Sequence, residues 1–351
     1  MEIFEKYDLT KLNTFGVLAR AKFFAVMENE QDLRELFALP QFKNNNKLFL
    51  GGGSNVLFTE DFNGIVILNK IKGIEILEAP TPKRVGVPTE SVGKDEVLIR
   101  AMGGEVWHDL VEFAVAREFW GVENLAYIPG SVGAAPMQNI GAYGAELKDV
   151  LESVEAFDLE TGEKKVFHNE DCSFGYRDSI FKKEVKDKYF IFAITLKLSK
   201  TENKNINYKV LKEYLFENKI EIKNPKHVSD AITAIRKSKL PDPKVIGNAG
   251  SFFKNIFVTP EKLKELLLGY PEMPYFKEKE KIKIPAAWLI EQCGWKGKRV
   301  GNVGVHDKQA LVLVNHGDGT GEEIKHLAEQ IITSVYEKFS LKLTPEVNLI
   351  P

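Results

Sequence analysis

From Asn124 to Gly144 the chain reads Asn-Leu-Ala-Tyr-Ile-Pro-Gly-Ser-Val-Gly-Ala-Ala-Pro-Met-Gln-Asn-Ile-Gly-Ala-Tyr-Gly. The passage is too apolar for an exposed loop, yet it has neither a helical nor a strand period. Buried backbone without a regular ladder must find its hydrogen-bond partners elsewhere. Two readings stand. A flat heterocycle with N–H and C=O groups on its edge completes the backbone, or the passage is a densely packed turn region whose small residues allow close contact.

A second glycine-rich stretch narrows the choice. The apolar strand Leu48-Phe49-Leu50 runs straight into Gly51-Gly52-Gly53-Ser54-Asn55-Val56-Leu57. Such a loop exposes successive backbone N–H groups, with Ser54 and Asn55 adding side-chain donors, and this is how a protein cradles a pyrophosphate. The plainer reading is a glycine turn. No Gly-Lys-Ser/Thr follows, so it is not a Walker loop, and it does not open a helix as a Rossmann fingerprint does. If this loop holds a dinucleotide, the fold is not Rossmann.

The third stretch is Asn248-Ala-Gly-Ser-Phe-Phe-Lys-Asn255. Glycine lets a ligand approach the backbone closely, so the Ser251 hydroxyl is placed to face a small substrate against an aromatic wall. Alternatively this is a tight turn into a buried strand, with Ser251 satisfying a backbone group. Phe174-Gly-Tyr-Arg-Asp-Ser-Ile-Phe181 holds Arg177, the planar cation suited to a carboxylate, although a surface turn with a local Arg177–Asp178 pair reads equally well.

Length and composition bound the answer. With 351 residues, two or three domains are expected. An apolar content of 44% with 28% charged residues describes a globular protein. The formal net charge of −2 offers no footprint for nucleic acid or an anionic membrane. No apolar run approaches the roughly 20 residues that span a bilayer, and Met1 to Lys6 does not resemble a signal peptide. Cys172 and Cys293 are far apart, and the histidines are scattered without ligand spacing, so no metal is expected and a reducing cytoplasm fits.

Periodicity and turn chemistry predict strands at 21–27, 48–50, 64–70, 96–102, 154–158, 165–168 and 189–198, a strand pair within 301–314, and a short strand at 341–347. Helices are expected at 31–39, 105–118, 229–239, 260–268, 284–293 and 321–339. The ordered part is expected to open at Asn13-Thr14-Phe15-Gly16, and Lys200 to Asn207 reads as a polar loop leading to Tyr208.

Taken together, Asn13 to Gly16, Gly51 to Leu57, Ile128 to Gly144, Phe174 to Phe181, Lys239 to Lys244, Gly247 to Asn255 and Pro345-Glu346-Val347 resemble one family, the UDP-N-acetylenolpyruvoylglucosamine reductases of bacterial cell-wall synthesis. The motifs span nearly the whole chain, in order. The tyrosine-bearing loop near 200–215 is similar to the family's longer subtype.

The resemblance implies an α+β fold: a two-lobed FAD-binding domain of the vanillyl-alcohol-oxidase (PCMH) type plus a C-terminal α+β substrate-binding domain. The expected parts are 1–72 with 326–351 as one lobe, 73–222 as the other, and 223–325 as the substrate domain. It implies FAD, held noncovalently because Gly53, Ser54 and Asn55 stand where related oxidases often carry a linking histidine. It also implies NADPH as co-substrate, UDP-N-acetylglucosamine enolpyruvate as substrate, and a cytoplasmic monomer binding neither nucleic acid nor membrane.

By the same resemblance, Arg177, Ser251 and Glu346 are the catalytic set. Cofactor contacts fall on Asn13, Thr14, Gly51, Gly52, Gly53, Ser54, Asn55, Val56 and Leu57. Further cofactor contacts fall on Ile128, Pro129, Gly130, Ser131, Gly133, Ala134, Gln138, Asn139, Ile140, Gly141, Ala142 and Arg236. Substrate contacts fall on Tyr143, Tyr176, Tyr208, Lys239, Asn255 and Gln309. Ile256 departs from a usual proline, and Asn348 stands where relatives often carry a basic residue. An FAD-dependent oxidase of sugars or alcohols is the alternative enzyme, and a catalytically inert flavin or nucleotide-sugar binder is the alternative of another class.

Overall fold

A computed structural model describes residues 1–77, 93–278 and 281–351. The chain divides into two compact units. The first comprises Met1–Lys6, Lys22–Gly52 and Asn63–Ser238, and the second Tyr7–Ala21, Gly53–Phe62 and Lys239–Pro351.

The first unit is built on two sheets. In a four-stranded sheet the order is Ile3–Asp8, Arg20–Met27, Phe62–Asn69, Asn46–Leu50. Its last pair is parallel, Asn46 facing Gly64 and Leu50 facing Leu68. Ile65 to Leu68 are buried in succession, as expected for a strand covered on both faces. The five-stranded sheet runs Lys164–His168, Leu151–Asp158, Tyr189–Ser199, Glu96–Met102, Ile74–Leu77. Its central Tyr189–Ser199 strand buries Phe190 through Leu196 without interruption. Against it packs a core of Trp107, Leu110, Val111, Leu125, Val132, Val154 and Ile194, among others.

On that sheet Glu155 sits between Arg100 and Lys164. Arg100 donates to it through Nη2 at 2.9 Å and also meets Glu75 at 3.1 Å. Burial pushes the Glu155 carboxyl up, but the two cations outweigh it and hold the group below the usual carboxylate range.

The second unit has a four-stranded sheet ordered Gly247–Ser251, Val312–Asn315, Val303–Val305, Arg299–Val300, and a three-stranded one ordered Ile256–Val258, Lys281–Ile284, Phe276–Glu278. Thr259 accepts from the Lys262 N–H and Pro260 occupies the first turn, so the Pro260–Gly269 helix starts where its capping residues dictate. The Gly321–Phe339 helix opens with a Thr320/Glu323 capping box and ends at Ser340 in the left-handed region. It buries Ile324, Leu327, Ala328, Ile331 and Val335.

Several expectations are corrected. Order begins at Ile3 rather than Asn13, because the first strand joins a sheet. The helix expected at 105–118 spans only Trp107–Val115, ending before Glu118 turns left-handed at φ 61°. The C-terminal strand is Asn348–Ile350, not 341–347, since its partner is Val56–Phe58, in parallel. Tyr336, on the Gly321–Phe339 helix, is 58% exposed. Helix Lys209–Glu217, buried through Leu211 and Leu215, adds to the expected set.

Candidate active site

Within the second unit, the turn at 12–17 and residues 346–348 meet around one loop. The Gly53 carbonyl accepts the Thr14 N–H at 3.1 Å, and the Asn55 carbonyl accepts both the backbone N–H and the side-chain Nδ2 of Asn348 at 3.1 Å. Asn55 Nδ2 reaches the Glu346 carbonyl at 3.4 Å. With these carbonyls turned into the protein, the N–H groups of Gly53 and Ser54 find no protein acceptor among the described residues. Gly53 lies at φ 62°, and a Cβ there would stand 1.9 Å from the Leu12 carbonyl oxygen. The conformation is thus one that glycine alone adopts cheaply, and the donor set fits a pyrophosphate. Asn13, 5% exposed, spends its amide on the Leu9 and Val17 carbonyls at 3.0 Å and stiffens the neighbouring turn.

Ser251 and Glu346 come together through backbone. Strand Gly247–Ser251 carries an irregularity between Asn248 and Ser251, where Gly250 takes φ 67°. The chain then runs antiparallel to 344–346: Lys254 N–H donates to the Thr344 carbonyl at 2.9 Å, and Glu346 N–H to the Phe252 carbonyl at 2.7 Å. Glu346 is therefore fixed beside the residue that follows Ser251. Phe252 and Phe253 are buried beneath, at 0% and 1% exposure. Ser251 ends a strand rather than forming a turn into one, and both it and Glu346 stay half-buried.

Asn255 Oδ1 accepts the Ala286 N–H at 3.0 Å, capping the Ala286–Gln292 helix, and Gln309 Oε1 accepts from Leu311 N–H at 3.3 Å. Lys239 is exposed, and Val56 and Leu57 lie in the strand paired with Asn348–Ile350.

The first unit holds the arginines. Gly175 and Asp178 exchange backbone hydrogen bonds at 3.0 and 3.3 Å, closing a turn with Arg177 at φ 53° in its third position. That position favours glycine or asparagine. The Arg177 Nη2 donates to the Gly141 carbonyl at 2.7 Å, its guanidinium lies 5.6 Å from the Tyr176 ring, and Asp178 pairs with Lys183.

Arg236 lies on the Pro225–Lys239 helix and donates to the Tyr127 carbonyl at 3.0 Å, with no carboxylate partner among the described residues. Burial lowers its pKa; Tyr143 and Tyr127 oppose the shift, while the Arg177 charge adds to it. Burial also raises the Tyr143 pKa, with Arg236 acting against it.

The Asn124–Gly144 passage is largely closed by protein. Val132 and Gly133 N–H groups donate to the Glu105 and Gly103 carbonyls, Trp107 N–H to Gly130, Ala134 to Ser131 and Ile140 to Ala135. The packed-turn reading thus accounts for much of its backbone. Ser131 lines the end of the glycine loop: a Cβ on Gly51 would lie 2.1 Å from its Oγ, and one on Gly52 would lie 3.2 Å from the Gly130 Cα. Ile128, Pro129, Ala134 and Gln138 fall in the same irregular run, Gly133 in the Val132–Ala134 turn, and Ala142 in the short Gly141–Ala142 strand.

Asn139 is fully buried, and its side chain is spent on protein partners. Composition does not reveal what holds the tyrosine loop. Asn124 donates to the Tyr143 and Asn205 carbonyls at 2.9 and 2.8 Å, Asn205 donates to Gly144 at 3.1 Å, and the Tyr143 and Tyr208 rings meet edge to face at 5.3 Å. Asn205, shortly before Tyr208, was the available signal.

Residues 21–167 match a family described as FAD binding domain, and residues 242–350 match UDP-N-acetylenolpyruvoylglucosamine reductase, C-terminal domain. The chain is 44% identical over its whole length, and the whole of theirs, to the UDP-N-acetylenolpyruvoylglucosamine reductases of Flavobacterium johnsoniae and Amoebophilus asiaticus. Its fold is similar to the crystal structure of UDP-N-acetylenolpyruvylglucosamine reductase from Thermus caldophilus, with a TM-score of 0.63 at 22% identity, covering 100% of this chain and 98% of that one. On these matches the chain is an FAD-binding oxidoreductase and belongs to the UDP-N-acetylenolpyruvoylglucosamine reductase family.

Proposed function

We propose that the protein reduces the enolpyruvyl group of UDP-N-acetylglucosamine enolpyruvate to UDP-N-acetylmuramate at the expense of NADPH, a step in making peptidoglycan precursors. The observation that carries this reading is the Glu346 N–H on the Phe252 carbonyl, which fixes the Glu346 backbone beside the residue after Ser251 on the unit that also offers the Gly53–Ser54 donors. FAD, when bound and reduced by NADPH, would supply hydride chemistry to the terminal carbon of the double bond. The residues of the chain do the rest.

Gly51 to Asn55 and Thr14 hold the cofactor's pyrophosphate, without a covalent link. Arg177 takes the substrate carboxylate bidentately, where negative charge grows as the double bond is reduced. Glu346 polarises that carboxylate from its other side. Ser251 gives its proton to the carboxylate-bearing carbon; a hydroxyl is a weak acid, but the carbanion is a stronger base. Tyr143, Tyr176, Tyr208, Lys239, Asn255 and Gln309 contact the nucleotide sugar, and 223–325 acts as the substrate domain.

The test is anaerobic. NADPH should bleach the yellow protein, and the enolpyruvyl substrate alone should restore the colour. Colour that returns only with oxygen would make the protein an oxidase, and a protein that takes up no flavin would remove the reading.

A further inference from the structure

We propose that Asn139 is a positioning residue that aims Arg177 before substrate arrives, a role resting on the reading of Arg177 above. Asn139 is 0% exposed and sits at φ 44°, in the left-handed region that asparagine tolerates better than most residues. Its Nδ2 has two hydrogens and both are used: one on the Gly175 carbonyl at 3.1 Å, the other on Glu146 Oε2 at 3.1 Å. Its Oδ1 accepts the Lys148 N–H at 3.0 Å.

Gly175 opens the turn that carries Arg177, and its carbonyl also receives the Asp178 N–H. Two residues along from Asn139, the Gly141 carbonyl receives the Arg177 guanidinium at 2.7 Å. Gly141 in turn pairs with Glu146 across the small hairpin of Gly141–Ala142 and Ala145–Glu146. One hairpin thus grips Arg177 at both ends, the base of its turn through Asn139 and the tip of its side chain through Gly141.

The need for such a grip follows from the backbone. Arg177 at φ 53° occupies a conformation disfavoured for a side-chain-bearing residue, which persists only where surrounding contacts hold it. A flexible arginine would otherwise lose rotamer freedom on meeting the carboxylate, and fixing it beforehand removes that cost. Asparagine suits the post: aspartate lacks the donors, serine has one, and glutamine is a methylene too long for the same three partners.

The experiment is a double-mutant cycle on the FAD-loaded protein, following flavin reduction by NADPH and flavin reoxidation by the enolpyruvyl substrate separately. Asn139→Gly keeps the left-handed backbone and removes the side chain. It should slow reoxidation about 10–100-fold, a fraction of the loss expected when a transition-state donor is removed outright, and slow it more than it slows reduction. In an Arg177→Lys background, Asn139→Gly should add no further loss, because the group it positions is gone.

Asn139→Asp with Glu146→Gln restores the link to residue 146 with donor and acceptor exchanged, but not the link to Gly175. This double variant should fold and be as slow as Asn139→Gly. In protein labelled at arginine nitrogen, the Arg177 Nε–H resonance, assigned by its absence in Arg177→Lys, should broaden in both Asn139→Gly and the double variant. Additive losses in the cycle, an unchanged resonance, or full recovery when Asn139→Asp is combined with Glu146→Gln would overturn the proposal while leaving Arg177 in its role. An Arg177→Lys protein with native reoxidation would instead overturn the reading of Arg177, and this proposal with it.

Discussion

Ser251 shows how much a single hydroxyl is asked to do. It is half-buried, follows Gly250 at φ 67°, and precedes two buried phenylalanines that leave the strand end little freedom. Ser251→Ala should therefore bind FAD and oxidise NADPH normally, while turnover of the enolpyruvyl substrate falls by at least the ~10²–10⁴ typical of a lost general acid. In D₂O the native reaction should place solvent deuterium at the carboxylate-bearing carbon in a single configuration. Near-normal turnover of Ser251→Ala with the same stereochemistry would pass the proton-donor role to Glu346 or a water. Asn348 serves the Asn55 carbonyl with both its backbone and its side chain, so it holds the loop.

At the scale of one element, the five-stranded sheet carries a charge cluster that makes its stability pH-dependent. Arg100 and Lys164 hold the Glu155 pKa below the unfolded value, so Glu155 binds a proton more readily once the chain unfolds. Its contribution is fully present above the unfolded carboxylate pKa and is lost as pH falls through the folded one. Glu155→Gln should cost about 1–3 kcal/mol in urea unfolding at about pH 7, since two cations lose their charged acceptor. At about pH 3 the difference from the native protein should shrink. A difference that stays constant across that range would mean that Glu155 acts through packing alone.

At the scale of the whole molecule, the two compact units are each assembled from separate stretches of chain. A ligand that binds the folded protein and not the unfolded chain stabilises it by mass action, about 2.7 kcal/mol at 100 times its Kd. Added FAD should therefore raise the melting midpoint of flavin-free protein by several degrees, and acid precipitation should release all of it into solution. A midpoint indifferent to FAD would contradict the cradle, and flavin retained in the precipitate would contradict the noncovalent link.

Much of this was legible in the residue order, because local chemistry dictates it. The Thr259-Pro260 and Thr320/Glu323 helix starts, the apolar run from Tyr189, and the Gly51–Asn55 loop after an apolar strand each follow from contacts a few residues apart. Arg177, Ser251 and Glu346 were named as a set only through the family resemblance of the motifs that hold them. What only the tertiary structure decided rests on partners distant in sequence. The last strand forms at Asn348–Ile350 because Val56–Phe58 is there to pair with it. Glu346 stands by Ser251 because a backbone ladder crosses from Phe252 to 346. Asn139 meets Gly175 across 36 residues. A hydrogen bond of that span leaves no period or spacing in the sequence, since only the fold sets which buried amide faces which carbonyl.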